Sequence, residues 1–469
     1  EGYVVLSTEL LAIRLLLPFT GNGTDTVSII IAAILMPLAF GYFAGGQFRS
    51  KSARRDRRKT VRDRLILNLV LAAAILTPGL SYAFLDAAFN WAYHVAGWNN
   101  RLLLTSVYSL LFLVVPVFLL GQTVPLISNY FSRERLPVMA GKILFFSTMG
   151  SFAGAVFCTL VLMAFVGVHY TVSITIACMA LLVFILSKKL ISPAPIAITI
   201  ALLLSLVLNS GFAMAKFHIV KDNKYNTVQI IEHDPSESII MKLNRSNASA
   251  VYKHSTIPRN IYISYIEDNF MMSLNDYDAP PRDILVLGAG GFTLGRIDDH
   301  NNFTFVDIDG DLKEIAENFL LKEKLGPNKK FIPMEARAFM NQTDEKFDMI
   351  VLDLYRDKLG VPEYLITQEF NEQVLRHLKP GGVMVGNYIA SPSFSDIYTI
   401  KLDNTLRSVF PNLNRQIVRP YDAWNKEDWA NIIYSYFNEP IQSSAIYTDN
   451  KNTSMFERPV AVHAEDKKN

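Results

Sequence analysis

The sequence predicts a polytopic bundle of apolar helices, followed by a small β unit and an open α/β sheet domain. Three observations predict it. Long segments before Phe217 carry almost no ionisable residues. Past Phe217 the apolar residues fall into short β-rich runs. From Ile284 onward apolar strands alternate with helices, and the first strand runs into the glycine turn of ILVLGAGGFTLGR (Ile284–Arg296). The boundaries follow: helices over 1–216, a β unit over 217–275, the sheet domain over 276–460 and a tail over 461–469.

A membrane-spanning helix needs about 20 mostly apolar residues. Seven stretches qualify: Val4–Phe19, Val27–Gly46, Leu65–Phe89, Leu102–Ile127, Ile143–Val166, Tyr170–Leu186 and Ile196–Ala215. The connection FRSKSARRDRRKTVRDR (Phe48–Arg64) holds nine Lys/Arg against two Asp, which marks it as cytoplasmic. Arg133, Arg135 and Lys142 mark a second inside loop, and Lys188 and Lys189 a third. Phe19–Thr26, Asn90–Asn100 and Gly167–Tyr170 carry no Lys or Arg and are expected outside. Seven spans then deliver the C-terminal half to the outer, periplasmic face of what reads as a bacterial inner membrane. Glu9, Arg14 and Asp86 fall inside spans. Charge in hydrocarbon is costly, so they are expected to face the bundle interior and find partners, as a polar cluster that fixes packing.

Composition narrows the rest. The chain of 469 residues is 50% hydrophobic with a mean hydropathy of +0.21, high for a water-soluble protein. Two cysteines, Cys158 and Cys178, both in apolar runs, exclude a disulfide scaffold. No metal-ligand spacing occurs, so no metal is expected. The basic run lies between two spans, which favours a topological role over nucleic-acid binding.

In the C-terminal half, Thr227–Glu232 and Ser238–Leu243 read as antiparallel strands around the turn HDPSE, and Ile261–Leu274 as a helix. DAPPR (Asp278–Arg282) punctuates the chain. Strands follow at Ile284–Leu287, Phe303–Ile308, Lys330–Pro333, Phe347–Leu354 and Val383–Tyr388, with helices at Leu312–Leu320 and Gln368–Leu378. Alternation of this kind implies a parallel sheet whose ligand lies beyond the C-terminal strand ends. Gly288, Gly290 and Gly291 permit a tight turn and close backbone approach there. Asp307 ends the second strand, where a carboxylate can accept from two ribose hydroxyls. Glu335 follows the third, where an acid can accept from an adenine amino group. Asp353 ends the fourth and can take a proton from an amine or hold it as a cation. Thr293 breaks the GxGxxG pattern, and no GKS or GKT follows, which disfavours a dinucleotide site and excludes a P-loop.

From about Tyr225 to Tyr388 these segments resemble the spermidine synthase family, the aminopropyltransferases. FTFVDIDGDLKEIAENF matches the family's second-strand motif, MEARAFM the segment of the adenine-side acid, and FDMIVLDLYRDKLGVPEYLITQEFNEQVLRHLKPGGVMVGNY the segment of the catalytic aspartate. ELLAIRLLLPFTGN and GYFAGG resemble the membrane-fused bacterial branch. The resemblance implies a Rossmann-like fold of the methyltransferase type and a donor such as S-adenosylmethionine or its decarboxylated form. It makes Asp353 the base or anchor of an amine acceptor, with Asp307 on the ribose and Glu335 on the adenine. Tyr225 and Asn226 fall on the family's tyrosine-glutamine strand and, with Asp357, would line the substrate site. Three positions depart from the pattern. Arg356 replaces a second aspartate, Phe292 stands near a missing glycine-loop acid, and LNR (Leu243–Arg245) replaces LDG.

Two other functions fit the same residues. One is a catalytically silent subunit whose synthase-like domain docks membrane or envelope partners. The other is a transporter with a ligand-sensing domain. An open cavity beside Asp353 favours the enzyme, whereas filling by Phe292 or Tyr355 favours the docking platform. The aromatic stretch Arg419–Phe437 is expected to be core, and Val462–Asn469 a disordered end.

Overall fold

The computed structural model describes residues 1–21, 23–48, 54–98, 100–129, 136–256, 260–271, 280–355, 360–418 and 429–439. The loop cations Arg133 and Arg135, the pair Arg356 and Asp357, and the tail lie outside the described residues.

Among the described residues, five helices are long and apolar enough to cross a membrane: Gly2–Thr20, Thr24–Gln47, Arg101–Ser128, Val138–Val166 and Val168–Leu186. The stretch Leu65–Phe89, expected as one span, is two helices. Lys59–Gly79 and Tyr82–His94 meet at 63°, where Pro78 and Gly79 weaken the helical ladder and Ser81 is extended. The last expected span is also shorter. Pro193–Leu208 has 16 residues, roughly 24 Å at 1.5 Å per residue, and breaks at Asn209 before the short helix Gly211–Lys216. The helices share an interior of Leu, Ile, Val and Ala side chains, including Leu11, Leu16, Ala72, Leu76, Val172 and Ile176. Large apolar side chains also cover the outside, with Phe146 at 71% and Phe165 at 84% exposure.

The β unit has four antiparallel strands: β1 (Ile219–Asp222), β2 (Thr227–His233), β3 (Ser238–Leu243) and β4 (Ser246–Tyr252), paired in chain order. The expected helix after it begins as an α-helix at Ile261–Ile266 and continues as a π-helical turn over Glu267–Met271.

The second sheet holds β5 (Asp283–Leu287), β6 (Asn302–Asp307), β7 (Lys329–Pro333), β8 (Phe347–Leu352), β9 (Leu378–Ala390), β10 (Asn414–Val418) and β11 (Ala430–Phe437), in the order β10-β11-β9-β8-β5-β6-β7. Five strands run parallel. β11 and β10 are antiparallel, so the expected wholly parallel sheet is a mixed one. Ile432, Tyr434 and Tyr436 of the aromatic stretch are buried in its core, while residues 419–428 lie outside the described part. The central strands β5 and β8 are apolar on both faces because each face is covered. Ile284, Val286 and Phe305 point into one core, and Leu285, Leu287 and Val306 into the other.

Candidate active site

The ends of β5, β6, β8 and β9 converge on one cavity of about 460 Å³. Gly288 leaves β5 with φ +93°, and a Cβ there would collide with the backbone carbonyl of Asp353. A side chain at 288 would therefore push the β5 and β8 loops apart. Gly290 also has a positive φ, +49°, and Gly291 donates its N–H to Ser249 Oγ of β4 at 2.9 Å. This last bond ties the glycine turn to the β unit.

Asp307 is held by backbone. Its Oδ2 accepts from Ala289 N and its Oδ1 from Asp309 N, each at 3.0 Å. Each oxygen keeps a lone pair for a further donor, which suits a pair of vicinal hydroxyls. Burial pushes the Asp307 carboxyl up to about 6, against the pull of those N–H groups. Glu335 lines the cavity and also caps the helix Ala336–Gln342, accepting from Arg337 N at 3.0 Å and Ala338 N at 2.7 Å.

Asp353 is held by side chains. Tyr262 Oη donates to its Oδ2 at 2.8 Å and Asn387 Nδ2 to its Oδ1 at 2.9 Å. Asn431 Nδ2 in turn donates to Asn387 Oδ1 at 2.9 Å, which fixes the orientation of that amide. Asp353 opens on the cavity but is otherwise surrounded by protein. Burial therefore raises its carboxyl above the ordinary range, against the two hydrogen bonds. Burial and the adjoining Asp353 charge push the Tyr262 phenol well up, so it stays a donor at neutral pH.

Tyr355 does not fill the gap. Its hydroxyl accepts from Ile389 N at 2.7 Å and donates to the Asn387 carbonyl at 3.1 Å, along the cavity wall. Phe292 lies in the core against Phe305 and Phe331. Tyr225 lines the cavity beside Lys224, whose ammonium sits 4.8 Å from the Tyr225 ring. Asn226 also reaches the wall, but its side chain is engaged on both sides. It donates to Asp309 Oδ2 at 2.8 Å and accepts from Asn244 Nδ2 at 2.9 Å. Asp357 is outside the described residues.

Two seams join this site to the helical half. In the first, Arg14 pairs with Asp222 at 3.0 Å, with side-chain exposures of 6% and 2%. It also donates to the Asn223 carbonyl at 2.8 Å. Asn223 Nδ2 reaches Asp309 Oδ1 at 2.8 Å and Asp311 Oδ2 at 2.7 Å. Three links thus separate Arg14 from Asp307. In the second seam, Arg245 contacts Asp86, donates to Asn90 Oδ1 at 2.9 Å and lies 4.8 Å from the Phe19 ring. Arg14 and Asp86 therefore pair with the β unit, not with each other as a cluster inside the bundle. The LNR departure acquires a reason as well, since its arginine is the second fastener.

Tyr262, Asn387, Asn431, Lys224 and the helical residues Thr159 and Leu160 line the cavity without having been singled out in the sequence. One signal was readable. Asn387 is an amide inside the apolar run VMVGNYIA and is 2% exposed. A buried amide needs partners, and its partners are the site.

Residues 261–422 match the spermine/spermidine synthase domain. The C-terminal region carries a spermidine synthase domain. A polyamine aminopropyltransferase of Sulfurisphaera tokodaii is 34% identical over 167 residues, which are 34% of this chain and 53% of the relative. That of Nitrosomonas europaea is 31% identical over 184 residues, 37% of this chain and 54% of the relative. The chain thus spans about half the length of the curated relatives it matches. The crystal structure of spermidine synthase from Thermotoga maritima aligns with a TM-score of 0.35 at 17% identity, covering 45% of this chain and 69% of that one.

Proposed function

We propose that this chain is a membrane-embedded transferase that moves an aminopropyl or related group from an S-adenosylmethionine-type sulfonium donor to an amine. The observation that carries this reading is the open cavity flanked by Asp307 and Asp353, one carboxylate suited to ribose hydroxyls and the other to an amine. In the transfer, the amine nitrogen attacks the carbon bonded to the sulfonium. A C–N bond forms, the C–S bond breaks, and sulfur keeps the electron pair as a neutral thioether. Asp353 takes the proton that the nitrogen sheds. Its raised carboxyl brings it nearer to neutral pH, which suits a general base. Tyr262 and Asn387 hold both of its oxygens in place, so orientation costs little at the moment of reaction.

The reading includes a membrane and a side. Five long apolar helices with exposed aromatic faces support spanning. The β unit contacts Phe19, Asn90 and, through Asp222, His169. All three belong to or border the connections that lack Lys and Arg. By the positive-inside rule this favours the outer face, however the last short helix is counted.

Isothermal titration of the detergent-purified full chain with S-adenosylmethionine, its decarboxylated form and methylthioadenosine tests the donor site. Micromolar binding that Asp307→Ala abolishes is expected. A folded chain that binds none of the three overturns the reading and turns attention to the docking platform.

A further inference from the structure

The cavity has a wall that belongs to the helical half. Thr159 and Leu160 line it together with Asp307, Glu335 and Asp353. They sit on the π-helical segment Cys158–Val166 that ends one of the long apolar helices. Extended π-helix is rare and concentrates at functional sites. Leu160 is six residues, roughly 9 Å at 1.5 Å per residue, from the end of that segment, and is 56% exposed. Phe145, Met149, Phe152, Val156 and Leu160 recur at spacings of three and four and are all exposed. They form an apolar track along a helix that is apolar on its other exposed sides as well, at Leu144, Phe146 and Phe157, and the track ends in the cavity wall.

The charges in the cavity are also unequal. Among its described lining residues the carboxylates are Asp307, Glu335 and Asp353, and the cation is Lys224. With Asp307 and Glu335 allotted to the donor, Asp353 is left for the acceptor, and its described surroundings are the neutral Tyr262, Tyr355, Asn387 and Asn431 and the apolar Leu354 and Ile389. A free diamine carries two cations at neutral pH. Among the described lining residues its second cation would find no anion, and its desolvation there would carry a cost. Lys224, in contrast, has no carboxylate partner among the described residues, and its ammonium rests on the Tyr225 ring.

Resting on the transferase reading above, we infer that the acceptor is the amino headgroup of a membrane phospholipid. Its amine meets Asp353, its phosphate meets Lys224, and its acyl chains lie along the track from Phe145 to Leu160. A carboxylate, a cation and an apolar track, all opening on one cavity, match the three parts of such a molecule. The bond changes are those already given, with the headgroup nitrogen as nucleophile.

The test uses the full chain in nanodiscs with S-adenosylmethionine or its decarboxylated form. The acceptors offered are phosphatidylethanolamine, phosphatidylcholine, free phosphoethanolamine and 1,4-diaminobutane, and products are read by mass spectrometry. Transfer to phosphatidylethanolamine is expected, with none to phosphatidylcholine and at least tenfold less to free phosphoethanolamine. Leu160→Glu and Lys224→Gln should each lower transfer to the lipid about tenfold while methylthioadenosine still binds. Use of the diamine with the lipid left untouched overturns the lipid acceptor and leaves the transferase standing. Equal use of free and lipid-borne phosphoethanolamine overturns the apolar track. Donor binding with no amine modified overturns the inference alone, whereas no donor binding overturns it together with the reading it rests on.

Discussion

The loops after β6 and β8 each end in a half-buried carboxylate that burial raises, yet they hold it by opposite means. Asp307 is gripped by two backbone N–H groups, so its position follows from the path of the chain. Asp353 is gripped by Tyr262 and Asn387, side chains from a helix and from β9. On the transferase reading the difference suits two tasks. A donor with invariant hydroxyls is served by a carboxylate fixed in the fold. A proton acceptor must have a tuned affinity, and side-chain donors are groups that substitution can change one at a time.

The largest expected effect separates the two acids directly. Asp353→Asn should lower transfer by 10²–10⁴-fold with donor binding unchanged in the same titration. A comparable loss of donor binding would erase the division of labour. Next comes the seam behind Asp307. Arg14→Leu leaves Asp222 buried without its cation, and breaking such a pair costs about 3–5 kcal/mol. Chemical denaturation in detergent should record that loss, and donor affinity should weaken with it because Asn223 no longer orders Asp309. The double variant Arg14→Leu, Asp222→Leu should recover much of the stability. If donor affinity ignores Arg14, the Asp307 loop stands without the seam.

A pH series is expected to give a smaller, graded effect. On the transferase reading donor binding needs ionised Asp307, whose carboxyl burial pushes up to about 6. Affinity is therefore full well above that pH and lost as pH falls through it, by about tenfold one unit below. The sign for stability is opposite. A carboxyl raised on folding disfavours the ionised folded state, so its contribution worsens as pH rises from the unfolded value toward 6. Asp307→Asn should flatten the stability profile and leave donor affinity weak at every pH, and a profile that persists would be assigned to another group. The smallest effect is that of Asn387→Ala. Loss of a hydrogen bond that favours the Asp353 carboxylate should move the inflection of the rate profile upward and leave the donor profile alone. No movement would mean that the Asn387 bond does not tune the proton affinity of Asp353.

Much of this arrangement was legible in the sequence, and the reasons differ by element. Strands β5, β6 and β8 announce themselves through apolar runs that burial demands, and each run ends in a polar cluster that the topology brings to one edge. β10 and β11 lack that signature. Asn414–Val418 is mostly polar, and in Ala430–Phe437 the polar Asn431 and Ser435 interrupt the run. β4, SNASAVY, is too rich in small polar residues to read as a strand. The break at Gly79 was marked by Pro78 but outweighed by the hydropathy on either side. The partners of Arg14 and Asp86 were beyond reach, since they lie 208 and 159 residues away and no local pattern encodes them.

Thr159 and Leu160 carry a lesson for anyone who would excise the synthase domain at Ile219. The cut removes Thr159 and Leu160, and with them one side of the cavity. What remains would keep its grip on the donor through Gly288, Asp307 and Glu335 but would meet acceptors through an open flank. On the transferase reading, such a fragment would keep donor binding and misreport the choice of acceptor. On that reading the helices would be part of the discrimination between acceptors, and a bilayer around them part of the specificity pocket.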